Sequence, residues 1–176
     1  MLYHKDVIAG KLRRWEKYLN GFRLPMWDEI PDLGLYMDQV IVLMNRYLKT
    51  FLTSDTVDAM IITPPMINNY VKLKAMPAPV KKKYSKIHIA YLIMISSLKQ
   101  ALSIPTIQKI IPVYEDEATV KDLYKVFCEN QLKAFKYITE KVCAVTDPIL
   151  ESEDADPKRM YILKTQGRNH WLDLSY

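Results

Sequence analysis

The residues that most restrict how this chain can fold are 86–101, KIHIAYLIMISSLKQA, which follow Ser85, a suitable helix N-cap. Apolar side chains recur around the whole helix, at Ile87, Ile89, Ala90, Tyr91, Leu92, Ile93, Met94, Ile95 and Leu98. A helix that is apolar nearly all round is packed on several sides. The chain must therefore supply further elements to surround it. Glycine is scarce, at four, and long-chain helix formers are common, which predicts a mostly α fold.

Helical spacing of apolar residues predicts the surrounding elements. The predicted helices are 5–20, 35–52, 63–73, a short one that begins at Ser103 and Pro105, and 116–145. Asp32 can cap the helix 35–52 at its start. Residues 21–34 hold two prolines and two glycines and form an irregular connector, whereas the residues after Pro148 are acidic and loop-like.

The segment 63–73, TPPMINNYVKL, places two asparagines inside a short helix, although asparagine is a poor helix former. Thr63 is a suitable N-cap, and Pro64 suits the first helical position. On a helix wound at about 100° per residue, the apolar side chains gather on one side. The opposite side holds Pro65, Asn68, Asn69 and Lys72. Asparagine can pair bidentately with the major-groove edge of adenine, so this face is typical of base readout. The alternative is that the asparagines hydrogen-bond to nearby backbone.

Charge is distributed unevenly along the chain, whose formal net charge is +5. No acidic residue occurs between Asp58 and Glu115, and that stretch carries eight lysines, which leaves −3 for the remaining residues. A segment this one-sided projects a positive field. It favours an anionic partner, with nucleic acid as the first candidate and a membrane surface or an acidic protein as the others.

A basic extension follows the asparagine helix. Residues 74–84 are KAMPAPVKKKY, and their two prolines exclude a helix. A short helix, a basic extension and a buried helix follow one another in winged helix-turn-helix proteins, where the recognition helix enters the major groove. We therefore expect Asn68, Asn69 and Lys72 to read DNA bases. The residues expected to hold the DNA backbone, through contacts that do not depend on sequence, are Thr63, Lys74, Lys81, Lys82, Lys83 and Lys86.

The run ITPPMINNYVKLKAMPAPVKKKYSKIHIAYLIMISSLKQALSIPTIQKII resembles the winged-helix DNA-binding domain of MerR-type regulators. Thr63 matches the helix cap of those regulators, Ile67 and Tyr70 match its buried positions, and Tyr84-Ser85 matches the end of the wing. The resemblance implies a MerR-like winged helix-turn-helix core with an N-terminal helical extension and a long C-terminal helix.

A second resemblance spans more of the chain. The blocks LYMDQV, MINNYVK and KKKYSKIHIAYLIMISSLKQALSI, within residues 13–130, are similar to the bacterial family catalogued as domain of unknown function 1836, whose members are described as MerR-like. This resemblance implies a fold and no activity. Two positions depart from the MerR pattern. Asn68 stands where those regulators have a phosphate-clamping arginine, and Lys74 stands where they have a glycine.

These boundaries divide the chain into four parts. Residues 1–34 form an N-terminal helix and connector, 35–112 the MerR-like winged-helix DNA-binding domain, 113–147 the long C-terminal helix, and 148–176 a tail. In MerR-type regulators the long helix pairs with its twin. Helix 116–145 therefore either pairs with a second copy as a homodimer or packs entirely within the monomer.

The sequence gives no indication of an enzyme, a metal-binding protein, a membrane protein or a secreted protein. The chain has no G-x-S-x-G, P-loop, H-E-x-x-H or G-x-G-x-x-G motif, so we expect no enzyme. Its three histidines are scattered, and Cys128 and Cys143 lack ligand spacing, so we expect no metal and no cofactor. His88 is expected to face solvent or the duplex. The longest apolar run, 89–95, is far shorter than the about 20 residues that span a bilayer. No signal-peptide pattern opens the chain, so we expect a cytoplasmic protein without membrane association.

Two functions follow as expectations. The first is a sequence-specific transcriptional regulator that binds duplex DNA. The alternative is a non-enzymatic helical protein-interaction module that retains the fold without DNA binding and docks an acidic partner on its basic surface. No small-molecule effector is indicated by the residues.

Overall fold

The structure is a computed structural model that describes residues 23–48 and 62–151. The chain divides into two compact units, one of residues 23–131 and one of residues 1–22 with 132–176. The predicted helix 5–20 and the end of the predicted helix 35–52 lie outside the described residues. So does the tail from residue 152 onward.

Five α-helices occur in the described residues, and they confirm a mostly α fold with a long C-terminal helix. They are α1 (Met37–Leu48), α2 (Pro64–Lys72), α3 (Lys86–Leu98), α4 (Ile104–Ile110) and α5 (Glu117–Glu151), preceded by a 3-10 turn at Trp27–Glu29. Helix α5 extends beyond its predicted end near residue 145 and continues through Pro148. Within residues 23–48 and 62–151, β-pairing is limited to isolated bridges, so a stranded wing is not evident.

Helix α3 is the centre of the unit 23–131, as its all-apolar sequence predicts. Every residue from Ile89 to Ile95 is 0% exposed. Helix α1 and helix α4 both pack against α3, and α2 packs against α1. Each fully buried aliphatic side chain stabilises the fold by about 1.5–3 kcal/mol, so α3 is a large contributor to the core of this unit.

Two buried tyrosines of this unit, Tyr91 and Tyr124, hydrogen-bond to loop backbone through their hydroxyls, whereas the buried hydroxyl of Tyr70 has no hydrogen-bond partner in the described residues. Tyr91 of α3 donates to the Pro112 carbonyl at 3.0 Å and accepts from the Tyr114 N–H at 2.8 Å. Tyr124 of α5 donates to the Pro25 carbonyl at 2.7 Å. These bonds attach the connector and the segment before α5 to the core, because a buried hydroxyl left unpaired would cost about 1–3 kcal/mol.

Helix α1 begins at Met37, and Asp32 does not cap it. The Gln39 side chain accepts a hydrogen bond of 2.9 Å from the N–H of Tyr36, the residue before the helix. The predicted role of Asp32 is therefore wrong, because a cap at that position requires a helix that begins at residue 33, and α1 begins four residues later.

Candidate nucleic-acid interface

Helix α2 divides into an inward and an outward face as its sequence predicts. Ile67 is 0% exposed and Tyr70 is 2% exposed, so they anchor the helix to the core. Asn68, Asn69 and Lys72 are exposed on the other side. Within the part of the chain that the structure describes, neither asparagine side chain forms a hydrogen bond. The expectation that they serve nearby backbone therefore gains no support.

Thr63 is the N-cap of α2, in extended backbone geometry and followed by two prolines. Its side chain is half-buried, and its hydroxyl makes no capping hydrogen bond. The helix start thus depends on backbone geometry and the prolines, since Pro64 lacks the N–H that would otherwise remain unpaired.

Helix α2 ends in a tight turn that places Lys74 at an unusual backbone angle. The Ala75 N–H donates to the Tyr70 carbonyl at 2.9 Å, and the Lys74 N–H donates to the Val71 carbonyl at 3.0 Å. This pair of bonds is the Schellman motif, whose C′ residue adopts the left-handed conformation and is usually glycine. Lys74 has a φ of 55° there. A lysine therefore occupies a position where glycine would adopt the same backbone conformation at a lower steric cost.

We expect Lys74→Gly to raise the free energy of unfolding by about 1 kcal/mol, because glycine adopts positive φ without steric cost. If Lys74 contacts a DNA phosphate, as the sequence leads us to expect, the same change should also weaken duplex binding and make its salt dependence shallower by about 0.9. Denaturant unfolding and a binding titration measure the two effects. Lys72→Gly is the matched control, because Lys72 is helical and its replacement should lower stability. A destabilised Lys74→Gly protein would contradict the account.

A second α-helix C-cap interaction joins α2 to α4. The side-chain amide of Gln108 donates to the Leu73 carbonyl at 2.6 Å. That carbonyl follows the last helical residue and has no partner within the helix. Gln108 therefore holds the end of α2 in place from a position that no sequence motif indicates.

The basic extension after α2 ends in a tight turn, residues 80–83, which we call the lysine turn. The Lys83 N–H donates to the Val80 carbonyl at 2.9 Å, and Lys81 and Lys82 have φ values of 49° and 64°. Positive φ at both central positions defines a type I′ turn, which favours asparagine and glycine. Each lysine there costs about 1–2 kcal/mol of backbone strain. All three lysines of the turn are exposed.

Lys83 contacts the segment that leads into α1. An antiparallel bridge joins Leu35 to Tyr84, with backbone hydrogen bonds of 2.9 and 2.8 Å. The Lys83 ammonium lies 5.7 Å from the centroid of the Tyr36 ring. Its aliphatic stem passes beside Gly34, where an added Cβ would lie 3.0 Å from Lys83 Cδ. Sequence spacing gives no signal for these contacts, since they join distant segments.

Lys86 differs from the other lysines expected to touch DNA. Its residue is only 9% exposed, and its ammonium lies 5.3 Å from the centroid of the Trp27 ring. A lysine placed over an indole face is stabilised by a cation–π interaction, and here it also loses access to a ligand. We therefore leave Lys86 out of the candidate interface.

His88 is buried, so the expectation that it faces solvent or the duplex is wrong. Its exposure is 5%. Nδ1 accepts from the Ser85 N–H at 2.9 Å, so Nε2 carries the proton and donates to the Ala78 carbonyl at 3.2 Å. The imidazole thus caps α3 and holds the basic extension against it. Burial lowers the pKa of His88, and the hydrogen bonds to Ala78 and Ser85 oppose that shift.

We expect the protein to lose stability as the pH falls below about 6.5, where the unfolded chain takes up a proton on His88 and the folded chain resists it. Above that pH both states are neutral and the stability is complete. Denaturant midpoints measured from pH 7.5 to 5 test this. His88→Gln, which offers an amide acceptor, should abolish the part of the loss below pH 6.5 that His88 causes. An unchanged pH profile in that variant would refute the assignment.

In residues 23–48 and 62–151 no helix is long and apolar enough to cross a membrane. No three His, Cys, Asp or Glu residues of the same ranges gather where they could hold a metal ion.

Comparison with known protein families shows that residues 25–127 match the family described as "Domain of unknown function (DUF1836)". The chain belongs to this family. The DUF1836 region contains α1 to α4, the lysine turn and the start of α5, so the whole candidate interface lies inside it. Neither the curated proteins nor the solved structures provide a match to the chain.

Proposed function

We propose that this DUF1836 protein is a sequence-specific transcriptional regulator that binds duplex DNA through a MerR-like winged helix-turn-helix. The observation that carries the proposal is the exposed face of α2, where Asn68, Asn69 and Lys72 lie together without carboxylates nearby in sequence. A major groove about 12 Å wide admits one helix, and α2 is held by its opposite, buried face.

The roles of the side chains follow from their chemistry. Asn68 and Asn69 each offer an amide donor and a carbonyl acceptor, which match N7 and N6 of adenine. Lys72 carries donors only, so it suits O6 and N7 of guanine or a phosphate. Lys74 and the lysine turn supply positive charge for phosphates on either strand. These contacts release counter-ions from the DNA, so their contribution to binding depends on the salt concentration and not on the base sequence.

The lysine turn would take the place of a stranded wing. Its end is joined to the entry of α1 by the Leu35–Tyr84 bridge, and the basic extension that leads into it is held against α3 by the His88 bond to Ala78. The backbone of Lys81 and Lys82 is left-handed, which is a strained conformation for lysine. Strained backbone persists where another interaction compensates for its cost, and phosphate binding by these exposed side chains would be such an interaction.

A homodimer through 116–145 is part of the proposal. Residues 120 to 131 of α5 bury the first half of an apolar stripe in their own unit, at Val120 and Tyr124. The stripe continues to Ile138, which is 45% exposed. Pairing of two copies there would place two α2 helices for successive turns of the groove, about 34 Å apart.

We expect Ile138→Lys to convert a dimer into a monomer in sedimentation equilibrium and to weaken binding to a two-fold symmetric site more than to a half-site. Glu140→Gln, which likewise raises the net charge by one at an exposed position of the same helix, is the control. A native chain that remains monomeric at about 100 μM, with or without DNA, would contradict the dimer.

Selection of fragments bound from genomic DNA, followed by a mobility shift across a salt series, tests the proposed function. We expect a small set of related fragments whose binding weakens steeply with salt. Absence of a shift at low salt would contradict DNA binding and favour an acidic protein as the partner of the basic surface. Binding that ignores sequence would contradict base readout by α2.

A further inference from the structure

Lys83 is held in a way that its two neighbours in the lysine turn are not. Lys81 and Lys82 occupy the left-handed tip of the turn, and their side chains form no hydrogen bond, ion pair or ring contact in the described residues. The Lys83 stem instead lies against Gly34, and its ammonium lies over the Tyr36 ring at 5.7 Å. The three lysines therefore carry the same charge, but the side chain of Lys83 has less conformational freedom than those of Lys81 and Lys82.

Restricted freedom changes what a phosphate contact contributes. A mobile lysine loses side-chain entropy when it binds a phosphate, and a lysine already held in place loses less. A ring face contacts only one side of an ammonium group, so the remaining N–H donors stay available. Phosphate contacts also set the register of a protein on the duplex, which only a contact of defined position can do.

Tyr36 and Gly34 have no evident role in stabilising the core. The Tyr36 residue is 52% exposed, so its ring fills no cavity. Gly34 lies in the exposed segment before α1, and the space above its Cα is occupied by the Lys83 stem, with Cδ at 3.0 Å and Cβ at 3.3 Å from an ideal Cβ. A larger residue at position 34 would displace that stem.

We propose that Tyr36 and Gly34 are positioning residues that hold Lys83 as the phosphate contact which sets the register of α2 in the major groove. This inference rests on the proposed DNA-binding function. It assigns unequal contributions to three adjacent lysines and gives a role to a tyrosine and a glycine far from them in sequence.

The test combines four single variants and one double variant with three readouts, which are DNA binding, the position of Lys83 and stability. Tyr36→Leu removes the ring, Tyr36→Phe retains it, Gly34→Ala displaces the Lys83 stem, and Lys83→Gln removes the charge. Binding is measured by fluorescence anisotropy to a selected site. In the free protein, NMR shifts of the Lys83 methylene groups next to the ammonium report their position above the Tyr36 ring.

We expect Tyr36→Leu and Gly34→Ala to weaken binding about three- to tenfold, and Tyr36→Phe to bind like the native chain within about twofold. Both weakening variants should lose the ring-induced shift of Lys83 while retaining the native unfolding midpoint. In a Lys83→Gln background, Tyr36→Leu should have no further effect on binding, since the two side chains act as one unit.

The failures of the two proposals are distinguishable. A native chain that binds no duplex, with the Lys83 shift present, overturns the DNA function and with it the role of Lys83. Duplex binding that is unaffected by Tyr36→Leu and Gly34→Ala overturns the positioning alone. The positioning role is also overturned if Tyr36→Leu weakens binding as much in the Lys83→Gln background as in the native chain.

Discussion

Asn68→Ala and Asn69→Ala should each lower affinity for the preferred DNA site by about 1–3 kcal/mol, equivalent to roughly 5- to 150-fold, while the protein stays fully folded. Each asparagine is exposed on α2, so its replacement creates no cavity. Alanine is also the better helix former, and the variants should therefore be slightly more stable. Competition binding against a panel of single-base changes measures the effect.

The panel separates base readout from general weakening. If Asn68 pairs with an adenine, then Asn68→Ala should lose discrimination at one base position and keep it elsewhere. Asn130→Ala is the matched control, because Asn130 is an exposed helical asparagine on α5, distant in sequence from the interface. A loss of affinity that is the same for every DNA sequence would show that Asn68 does not read a base.

Replacement of Lys81, Lys82 and Lys83 by glutamine should weaken binding to every duplex by about 10²- to 10³-fold at 0.1 M salt. Each lysine that neutralises a phosphate contributes about 0.9 to the slope of log K against log salt. Three lost contacts therefore lower the slope by about 2.7, and the affinities of the two proteins converge toward 1 M salt.

A variant with the same loss of charge at another place controls for net charge. Lys125, Lys133 and Lys136 are exposed on α5, and their joint replacement by glutamine removes three charges outside the lysine turn. That variant should retain most of the affinity and most of the slope. Equal losses in the two triple variants would indicate that DNA responds to overall charge and not to the lysine turn.

Local patterns in the sequence predict the helices and the faces of α2. The apolar run of α3 requires burial on all sides, and the spacing of Ile67 and Tyr70 predicts which side of α2 meets the core. Both inferences depend on helical periodicity, which is a property of neighbouring residues. The caps at Ser85 and Ser103 follow from local chemistry in the same way.

Contacts between distant segments explain what the sequence does not predict. Nothing near Lys86 in the chain indicates that its ammonium lies over Trp27, and nothing near His88 indicates a bond to Ala78. The left-handed lysines conflict with local preference, because glycine or asparagine is usual at such positions. Local rules are expected to fail at functional sites, where strain is compensated by another interaction.

Anisotropy titrations of the native chain against its selected duplex and a scrambled duplex, from 50 to 300 mM salt, test the central claim most directly. We predict binding to the selected duplex with a log–log slope of about −3.6 or steeper, because Lys74 and the lysine turn contribute four phosphate contacts. We also predict a preference over the scrambled duplex of about 10³-fold or more. Equal affinity for both duplexes, or no binding to either at 50 mM salt, would contradict it.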